Sequence, residues 1–354
     1  MTDSRQMFLT LMRAFVEHIP RAAWGDMRRL VTLAWAVVGL CLSKKVSLPG
    51  WGEAVESRAQ KAASRTRRFA RWVDNPKIQV QPVYAPLLRA ALCRWQTAGR
   101  VYLALDVSVL KGSPFVLIRV ALIYRGRAMP LAWRVLRHAS ATVGFADYQP
   151  VLDQASRCLP LGLTGVLLAD RGFVHAELLQ WLQQAHWHYR LRLTGDTLIH
   201  CPDRRVVAVA RLCPPSGEAH FYHGIRLLGH AFGPLHLALA QLDAPNQDPW
   251  YLVSDEPTDL TTFDEYGLRF DLEMVFTQMT KGRVLARGRR WDHVTDFHRF
   301  VVDDDSVDPQ RYQLSALGEV ELLARRLQAP PEVFDAGGEL GGVQLLLGLC
   351  RQLA

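Results

Sequence analysis

A change in hydrophobic pattern near residue 100 limits the folds open to this chain. Before that point, apolar residues recur at spacings of three and four, as in FLTLMRAFVEHI and MRRLVTLAWAVVGLCL, and this pattern predicts helices. Beyond it come the short, β-rich runs VYLALDVSVL, PFVLIRVALIY and MPLAWRVL, separated by KGS and RGR turns. The sequence therefore predicts an all-helical N-terminal domain followed by three antiparallel strands joined by hairpins.

The segments after these three strands indicate an α/β sheet. A predicted helix near Tyr148 to Cys158 precedes LTGVLLAD, a continuous apolar run typical of a strand buried on both faces. The helix VHAELLQWLQQA and the strand HYRLRLT complete a β-β-β-α-β-α-β series, which favours a mixed sheet. Short strands then follow, and helical spacing resumes in LTTFDEYGLRFDLEMVFTQM.

These patterns divide the 354 residues into four segments. We expect a helical basic domain, the first part of an α/β core, a β-rich insertion, and the second part of the core with a helical tail. Their bounds are 1–97, 98–195, 196–256 and 257–354. A chain of this length is sufficient for two or three domains with a well-buried core.

Composition excludes several classes of protein. The six cysteines are scattered without a CxxC pair, so neither a disulfide framework nor a zinc site is indicated, and a reducing cytoplasm is expected. The longest apolar run, Val31 to Leu42, is shorter than the roughly 20 residues that span a bilayer, so no membrane association is predicted. No GxSxG, Walker A or dinucleotide-binding motif supports a hydrolase, NTPase or dehydrogenase.

Positive charge is concentrated in the first third of the chain. The net charge is +8, and residues 1–105 hold 17 Lys and Arg against 6 Asp and Glu. The remainder holds 25 against 28. This asymmetry is expected where one region binds a polyanion and another gathers carboxylates for a metal, although a solvated basic face would produce it too.

The segment SRAQKAASRTRRFARW concentrates this charge on a predicted helix. Lys61, Arg65, Arg68 and Trp72 share one helical face, and Arg71 lies nearby. A helix with such a face can lie along a phosphate backbone. Arg65, Arg68 and Arg71 are therefore candidate DNA contacts.

Two acidic residues occupy unusual positions in the predicted sheet. Asp106 interrupts the apolar strand LALDVSVL, where an unpaired charge would be costly to bury, unless it lies near a strand end and faces solvent. Asp170 ends the buried run GVLLAD, at the strand edge where α/β sheets place their sites. It would also suit an N-cap for a helix beginning near Val174.

A third acid lies on the last predicted helix. Tyr266, Arg269 and Glu273 share a face at offsets of zero, three and seven, although Arg269 and Glu273 would also form an ordinary ion pair. Together with Asp106 and Asp170, Glu273 can converge on two hard cations, Mg²⁺ or Mn²⁺, which prefer oxygen ligands. Two such ions promote in-line displacement at phosphorus. The sequence thus predicts a metal-dependent nuclease or strand-transfer site.

The motifs ALDVS, LLADRGF and YGLRFDLE resemble those of insertion-sequence DDE transposases of the IS-four type. The family's Y-x2-R-x3-E pattern is met in register by Tyr266, Arg269 and Glu273. The resemblance implies an RNase H-like catalytic domain with a β-rich insertion before the helix that carries the glutamate. It further implies that Asp106, Asp170 and Glu273 are the catalytic metal ligands.

The resemblance also suggests DNA contacts. It implies that Tyr266 and Arg269 contact the terminal phosphate, and that Trp250 of WYLVSDEP stacks on a flipped base, although Trp250 would equally suit a core position that opens a strand. The family's lysine falls at Thr280, and Lys281 follows about 100° further around a helix. We take Lys281 as the phosphate-binding candidate. The sequence beyond it lacks the family's leucine-rich continuation, for which a frameshift or decay of the element is a hypothesis.

The activity that the resemblance implies is cut-and-paste transposition. A dimer would pair two terminal inverted repeats, cleave them through a hairpin intermediate and join the ends to target DNA, in the cytoplasm at the nucleoid. Two alternatives remain at this point. One is a catalytically inactive relic that only binds DNA, and the other is a structure-specific metal-dependent nuclease.

Overall fold

The computed structural model describes residues 3–43, 47–93, 99–109, 115–124, 127–138, 140, 142–229, 231–241 and 248–270. These residues fall into two compact units. The first contains residues 3–93 with Cys158–Pro160, and the second contains the other described residues. The predicted site residues Glu273 and Lys281 lie outside the described part of the chain.

The first unit is helical, as the spacing of its apolar residues predicts. Its helices are α1 (Asp3–His18), α2 (Arg21–Trp24), α3 (Met27–Ser43), α4 (Leu48–Ala54), α5 (Ala62–Val73) and α6 (Val80–Cys93). On α1, the buried residues Met7, Leu11 and Phe15 recur every four positions and form one apolar stripe. Helix α3 also contributes buried residues to the core of this unit, among them Val38, which is fully buried.

A bilayer span needs a long apolar helix. Among the described residues, no single helix is long and apolar enough to cross a membrane. Helices α3 and α4 reach the length and apolar composition of a span only when both are taken together, with a bend of 91° between them.

Three of the four side chains on the expected DNA-binding face of α5 form hydrogen bonds within the first unit. The Arg65 guanidinium donates to the Gly52 carbonyl at 3.3 Å, and Arg68 donates to Thr32 Oγ1 at 3.5 Å. The Trp72 indole donates to the Arg29 carbonyl at 2.8 Å. These three side chains therefore attach α5 to α3 and α4, which differs from the predicted role of Arg65 and Arg68 as phosphate contacts. The exposed basic residues of this segment include Lys61, Arg67 and Arg71.

We expect neighbouring arginines of α5 to differ in their effect on stability. Arg68→Ala should lower the free energy of unfolding by roughly 1 to 2 kcal/mol, because it removes a partly buried charged donor and its aliphatic packing. Arg71→Ala should change it by less than about 0.5 kcal/mol, since Arg71 is exposed. Urea unfolding of both variants measures the difference. Equal losses of unfolding free energy in the two variants would contradict a stabilising role for Arg68.

The second unit is built on a mixed sheet, so the predicted α/β fold class is confirmed. In the described residues the sheet has ten strands in the order β3-β2-β1-β4-β5-β10-β9-β8-β6-β7. The first five are β1 (Arg100–Val109), β2 (Phe115–Tyr124), β3 (Arg127–Arg137), β4 (Thr164–Ala169) and β5 (His188–Arg192). The others are β6 (Leu198–His200), β7 (Val206–Ala208), β8 (Ala219–Leu227), β9 (Phe232–Ala240) and β10 (Trp250–Ser254).

Strand direction follows the predicted series. Strands β1, β2 and β3 are antiparallel neighbours, whereas β1, β4 and β5 are parallel. In the chain, α7 (Phe145–Cys158) lies between β3 and β4, α8 (Ala176–Ala185) lies between β4 and β5, and α9 (Thr261–Gly267) follows β10. Strand β4 lies between β1 and β5, and its residues from Val166 to Ala169 are fully buried. The apolar run LTGVLLAD therefore forms the central buried strand that it predicts.

Candidate active site

Asp106 and Asp170 meet at one edge of the sheet because their strands are parallel neighbours. Ala104 of β1 pairs with Leu168 of β4, and each acid lies two residues further along its chain. Asp106 is still within β1, and Asp170 immediately follows β4. Both acids therefore lie toward the carboxyl ends of parallel strands, where α/β sheets usually place their sites.

Asp106 is largely buried and compensated by an arginine. Its side chain is 14% exposed, and the Arg119 guanidinium, on the directly paired position of β2, lies 3.2 Å from Asp106 Oδ2. The Ser108 hydroxyl donates to the same oxygen at 2.7 Å. The alternative of a solvent-facing aspartate near a strand end is thus not what the structure shows. Burial of this charge is tolerated because a guanidinium and a hydroxyl satisfy it.

Asp170 has a capping role as well as a place in the site. Its Oδ1 accepts a hydrogen bond from the Arg171 backbone N–H at 2.8 Å and caps the 3₁₀ turn Arg171–Phe173. The α-helix itself begins later, at Ala176. The side chain is 36% exposed, and its Oδ2 takes no part in the cap. Capping and metal binding therefore use different oxygens and are compatible.

Arg269 lies between the two carboxylates. It follows α9 by two residues, is 5% exposed, and places Nη2 3.5 Å from Asp106 Oδ1 and 3.7 Å from Asp170 Oδ2. Both separations exceed the usual length of a charged hydrogen bond. Within the described residues, each acid therefore has one oxygen that accepts a short hydrogen bond and another that lies at a longer distance from Arg269.

These two outer oxygens are candidate ligands of a divalent cation. Both lie within 3.7 Å of one nitrogen atom, so they are at most about 7 Å apart. Oxygens on opposite sides of Mg²⁺ are about 4 Å apart, since each bond is about 2.0 to 2.1 Å long. Asp106 and Asp170 would share an ion if their side chains turned to bring these oxygens to that distance. The expected third ligand, Glu273, lies outside the described residues.

Tyr266 and Trp250 lie in an aromatic cluster. Tyr266 is fully buried and Trp250 is 8% exposed, and their rings meet edge to face at 5.4 Å. Phe263 and Phe270 pack around them. The structure places Trp250 at the start of β10, as in the core alternative for this residue. Both rings are thus packed inside the second unit, and the DNA contacts expected of Tyr266 and Trp250 stay predictions.

A buried ion network holds α9 over the sheet. Arg190 of β5 is 4% exposed, and its guanidinium donates to Glu265 at 2.6 Å, Glu256 at 3.0 Å and Ser254 at 2.9 Å. The Tyr102 hydroxyl donates to the other oxygen of Glu265. Because Glu265 belongs to α9, this network sets the position of the helix that precedes Arg269.

The electrostatics of this network favour the ionised form of Glu256. Burial by itself raises the pKa of Glu256, but hydrogen bonds from Arg100 and Arg190 outweigh that effect and leave the pKa below its usual value. His188 and Asp255 adjoin Glu256, and their potential ligand atoms lie within 4.8 Å of one another. Since Glu256 already accepts from two arginines, we interpret this group as part of the ion network.

Sequence reasoning missed both Arg119 and Arg190. Arg119 is the single charge in the apolar run PFVLIRVALIY, and Arg190 lies in HYRLRLT together with a second arginine, Arg192. For Arg119 a signal was available, because a hairpin between β1 and β2 can place it opposite Asp106. For Arg190 no such signal was available, because its carboxylate partners lie on α9 and just after β10.

The segment after Asp170 is attached to α7 by a tyrosine and a histidine. The Tyr148 hydroxyl lies 2.6 Å from His175 Nε2, and Tyr148 is fully buried beside Phe173. Burial raises the pKa of Tyr148, so the hydroxyl stays protonated and serves as the donor. Burial also lowers the pKa of the His175 imidazole, which favours the neutral acceptor.

This contact predicts a dependence of stability on pH. The unfolded chain protonates His175 near its ordinary pKa of 6.5, but the folded protein does so only at lower pH. The free energy of unfolding should therefore fall as pH drops below about 6.5 toward the folded-state pKa. His175→Gln retains an acceptor for Tyr148, so its urea midpoint should change less with pH than that of the wild type. His220→Gln is the matched control, because His220 is exposed, and its urea midpoint should change with pH as in the wild type. If the urea midpoint of His175→Gln also changed with pH as in the wild type, His175 would not be the group responsible.

Comparison with known proteins gives similarity to solved structures alone. No protein-family model matches the chain, and no curated protein matches it. The chain is similar to the cryo-EM structure of a piggyBac transposase synaptic complex with hairpin DNA, at 9% sequence identity and a TM-score of 0.45. The alignment covers 99% of this chain and 80% of that one. Function therefore has to be inferred from the residues of the chain itself.

Proposed function

We propose that this protein is a DDE transposase that cleaves and rejoins DNA strands with divalent cations held by Asp106, Asp170 and Glu273. One observation carries the proposal. Two acids far apart in the sequence lie on adjacent parallel strands, with Arg269 at 3.5 and 3.7 Å from their carboxylates. Carboxylates that converge at a strand edge are the ligands that phosphoryl-transfer metals require.

The described residues supply the binding and orienting parts of this chemistry. When bound, Mg²⁺ or Mn²⁺ ions would activate the attacking hydroxyl and stabilise the leaving oxygen of a phosphodiester. Asp106 and Asp170 would hold the ions through their outer oxygens. Arg119 and Ser108 keep Asp106 in a fixed orientation. Arg269 would offer its guanidinium to a phosphate, for which its planar donors are suited.

The remaining DNA affinity is assigned to exposed basic residues of the first unit. On α5 these are Arg67 and Arg71, with Lys61 at its start. Phosphate contacts of this kind do not depend on base sequence and weaken as salt increases. In the proposed assembly, two copies of the chain pair the terminal inverted repeats of one element and join them to target DNA, in the cytoplasm at the nucleoid.

The test uses the wild-type chain and a plasmid that carries its gene with the natural flanking DNA. With Mg²⁺ or Mn²⁺ we expect nicks at the element ends, followed by joined products, and neither should form with EDTA. Cleavage without any joining would replace the proposal with a structure-specific nuclease. DNA binding without cleavage would replace it with an inactive relic. Glu218→Gln, an exposed acid of the β-rich region, is the matched control and should retain full activity.

A further inference from the structure

The two arginines that contact Asp106 are held very differently. Arg119 is 2% exposed, lies on a strand paired with β1 along its length, and is 3.2 Å from the carboxylate. Arg269 lies beyond the end of a short helix and makes two longer contacts. Arg119 thus holds Asp106 at closer range than Arg269 does, and the contacts of Arg269 with the two acids are the longer ones.

The charges at the site limit what can be present together. Among the described residues, Arg119 and Arg269 balance Asp106 and Asp170, so this group of four is neutral. A divalent cation that joined these four would add two positive charges to a largely buried setting, where uncompensated charge is costly. Withdrawal of Arg269 would remove one positive charge from the group. It also frees the two oxygens that would become ligands.

The geometry points to Arg269 as an exchangeable counter-ion, which gives up the Asp106–Asp170 pair to a divalent cation and passes to a DNA phosphate. This inference rests on the proposed function and adds a regulatory property to it. Cation and DNA would bind cooperatively, because a phosphate offers the displaced guanidinium a new anionic partner. By linkage, DNA must tighten cation binding by the same factor as the cation tightens DNA binding.

Mn²⁺ binding to the full chain without DNA tests the first step. Arg269→Gln removes one positive charge about 4 Å from both carboxylates, so we expect at least about tenfold tighter binding by titration calorimetry or paramagnetic resonance. The matched control is Arg171→Gln, because Arg171 is adjacent to Asp170 in the chain but its guanidinium pairs with Asp248 and is 53% exposed. It should bind Mn²⁺ as the wild type does.

The second step is tested by repeating the Mn²⁺ titration with a short blunt-ended DNA duplex. In the wild type the duplex should tighten Mn²⁺ binding, and Mn²⁺ should tighten duplex binding equally. Arg269→Gln should lose most of this coupling, and Arg269→Lys, which keeps the charge, should retain part of it. The wild-type comparison needs no variant, so it stands even if Arg269→Gln fails to fold.

The outcomes separate this inference from the proposed function. Wild-type Mn²⁺ binding that needs Asp170 but is unchanged or weaker in Arg269→Gln would overturn the exchange and leave the metal site intact. The exchange would also be overturned if, in the wild type, the DNA duplex left the affinity for Mn²⁺ unchanged. If neither the wild type nor Arg269→Gln binds Mn²⁺, the metal site itself is wrong, and the proposed function fails with it.

Discussion

Asp170→Asn should lower the rate of metal-dependent DNA nicking at least about 1000-fold, because bound cations contribute several kcal/mol to charge stabilisation in the transition state. The substitution is close to neutral for the fold. The asparagine Oδ1 can still accept from the Arg171 N–H, as Asp170 does at 2.8 Å, so the cap survives. The side chain is also partly exposed. Loss of activity would therefore report on the metal ligand and not on unfolding.

Initial nicking rates with Mg²⁺ and thermal unfolding midpoints, measured together, check this expectation. Asp106→Asn should lose as much activity but also some stability, since Arg119 would lose its charged partner in a buried position. Glu218→Gln should match the wild type in both assays. Nicking by Asp170→Asn within about tenfold of wild type would mean that Asp170 is only a helix cap.

Arg190→Met should lower the free energy of unfolding by about 3 to 5 kcal/mol, since it leaves Glu256 and Glu265 without their buried guanidinium. Methionine fills much of the same volume, so the loss is one of charge compensation. Urea unfolding followed by far-ultraviolet circular dichroism measures it. Arg205→Met removes an exposed arginine paired with Asp203 and should have no measurable effect.

A second substitution distinguishes charge from packing in this network. Arg190→Met combined with Glu265→Gln should be less destabilised than the sum of the two single variants, because the pair is removed as a unit. In the Glu265→Gln variant the new side-chain carbonyl can still accept from the Tyr102 hydroxyl. Additive losses would show that Arg190 acts through its packing alone and that the ion network does not hold α9.

Local pattern was sufficient for several features of the candidate site. The apolar run that ends at Asp170 and the run around Asp106 both predict their strands correctly. The pattern of apolar residues that indicates a strand lies within that strand and needs no distant contact. Helix α5 was predicted too, but its inner face was not. Arginine and tryptophan bury their apolar parts and donate from their tips, so Arg68 and Trp72 suit either the core or a phosphate.

What the sequence by itself determined was the order and type of the elements, with one acid inside a predicted strand and another at the end of a second predicted strand. Only the tertiary structure decided which charges meet. Arg119 faces Asp106 through strand register, and Arg269 reaches Asp106 and Asp170 because α9 packs across the sheet. Hydrophobic periodicity is a local property of the chain, whereas register and helix docking depend on contacts between distant segments. The ion network around Arg190 and the inward position of Trp250 depend on those contacts as well.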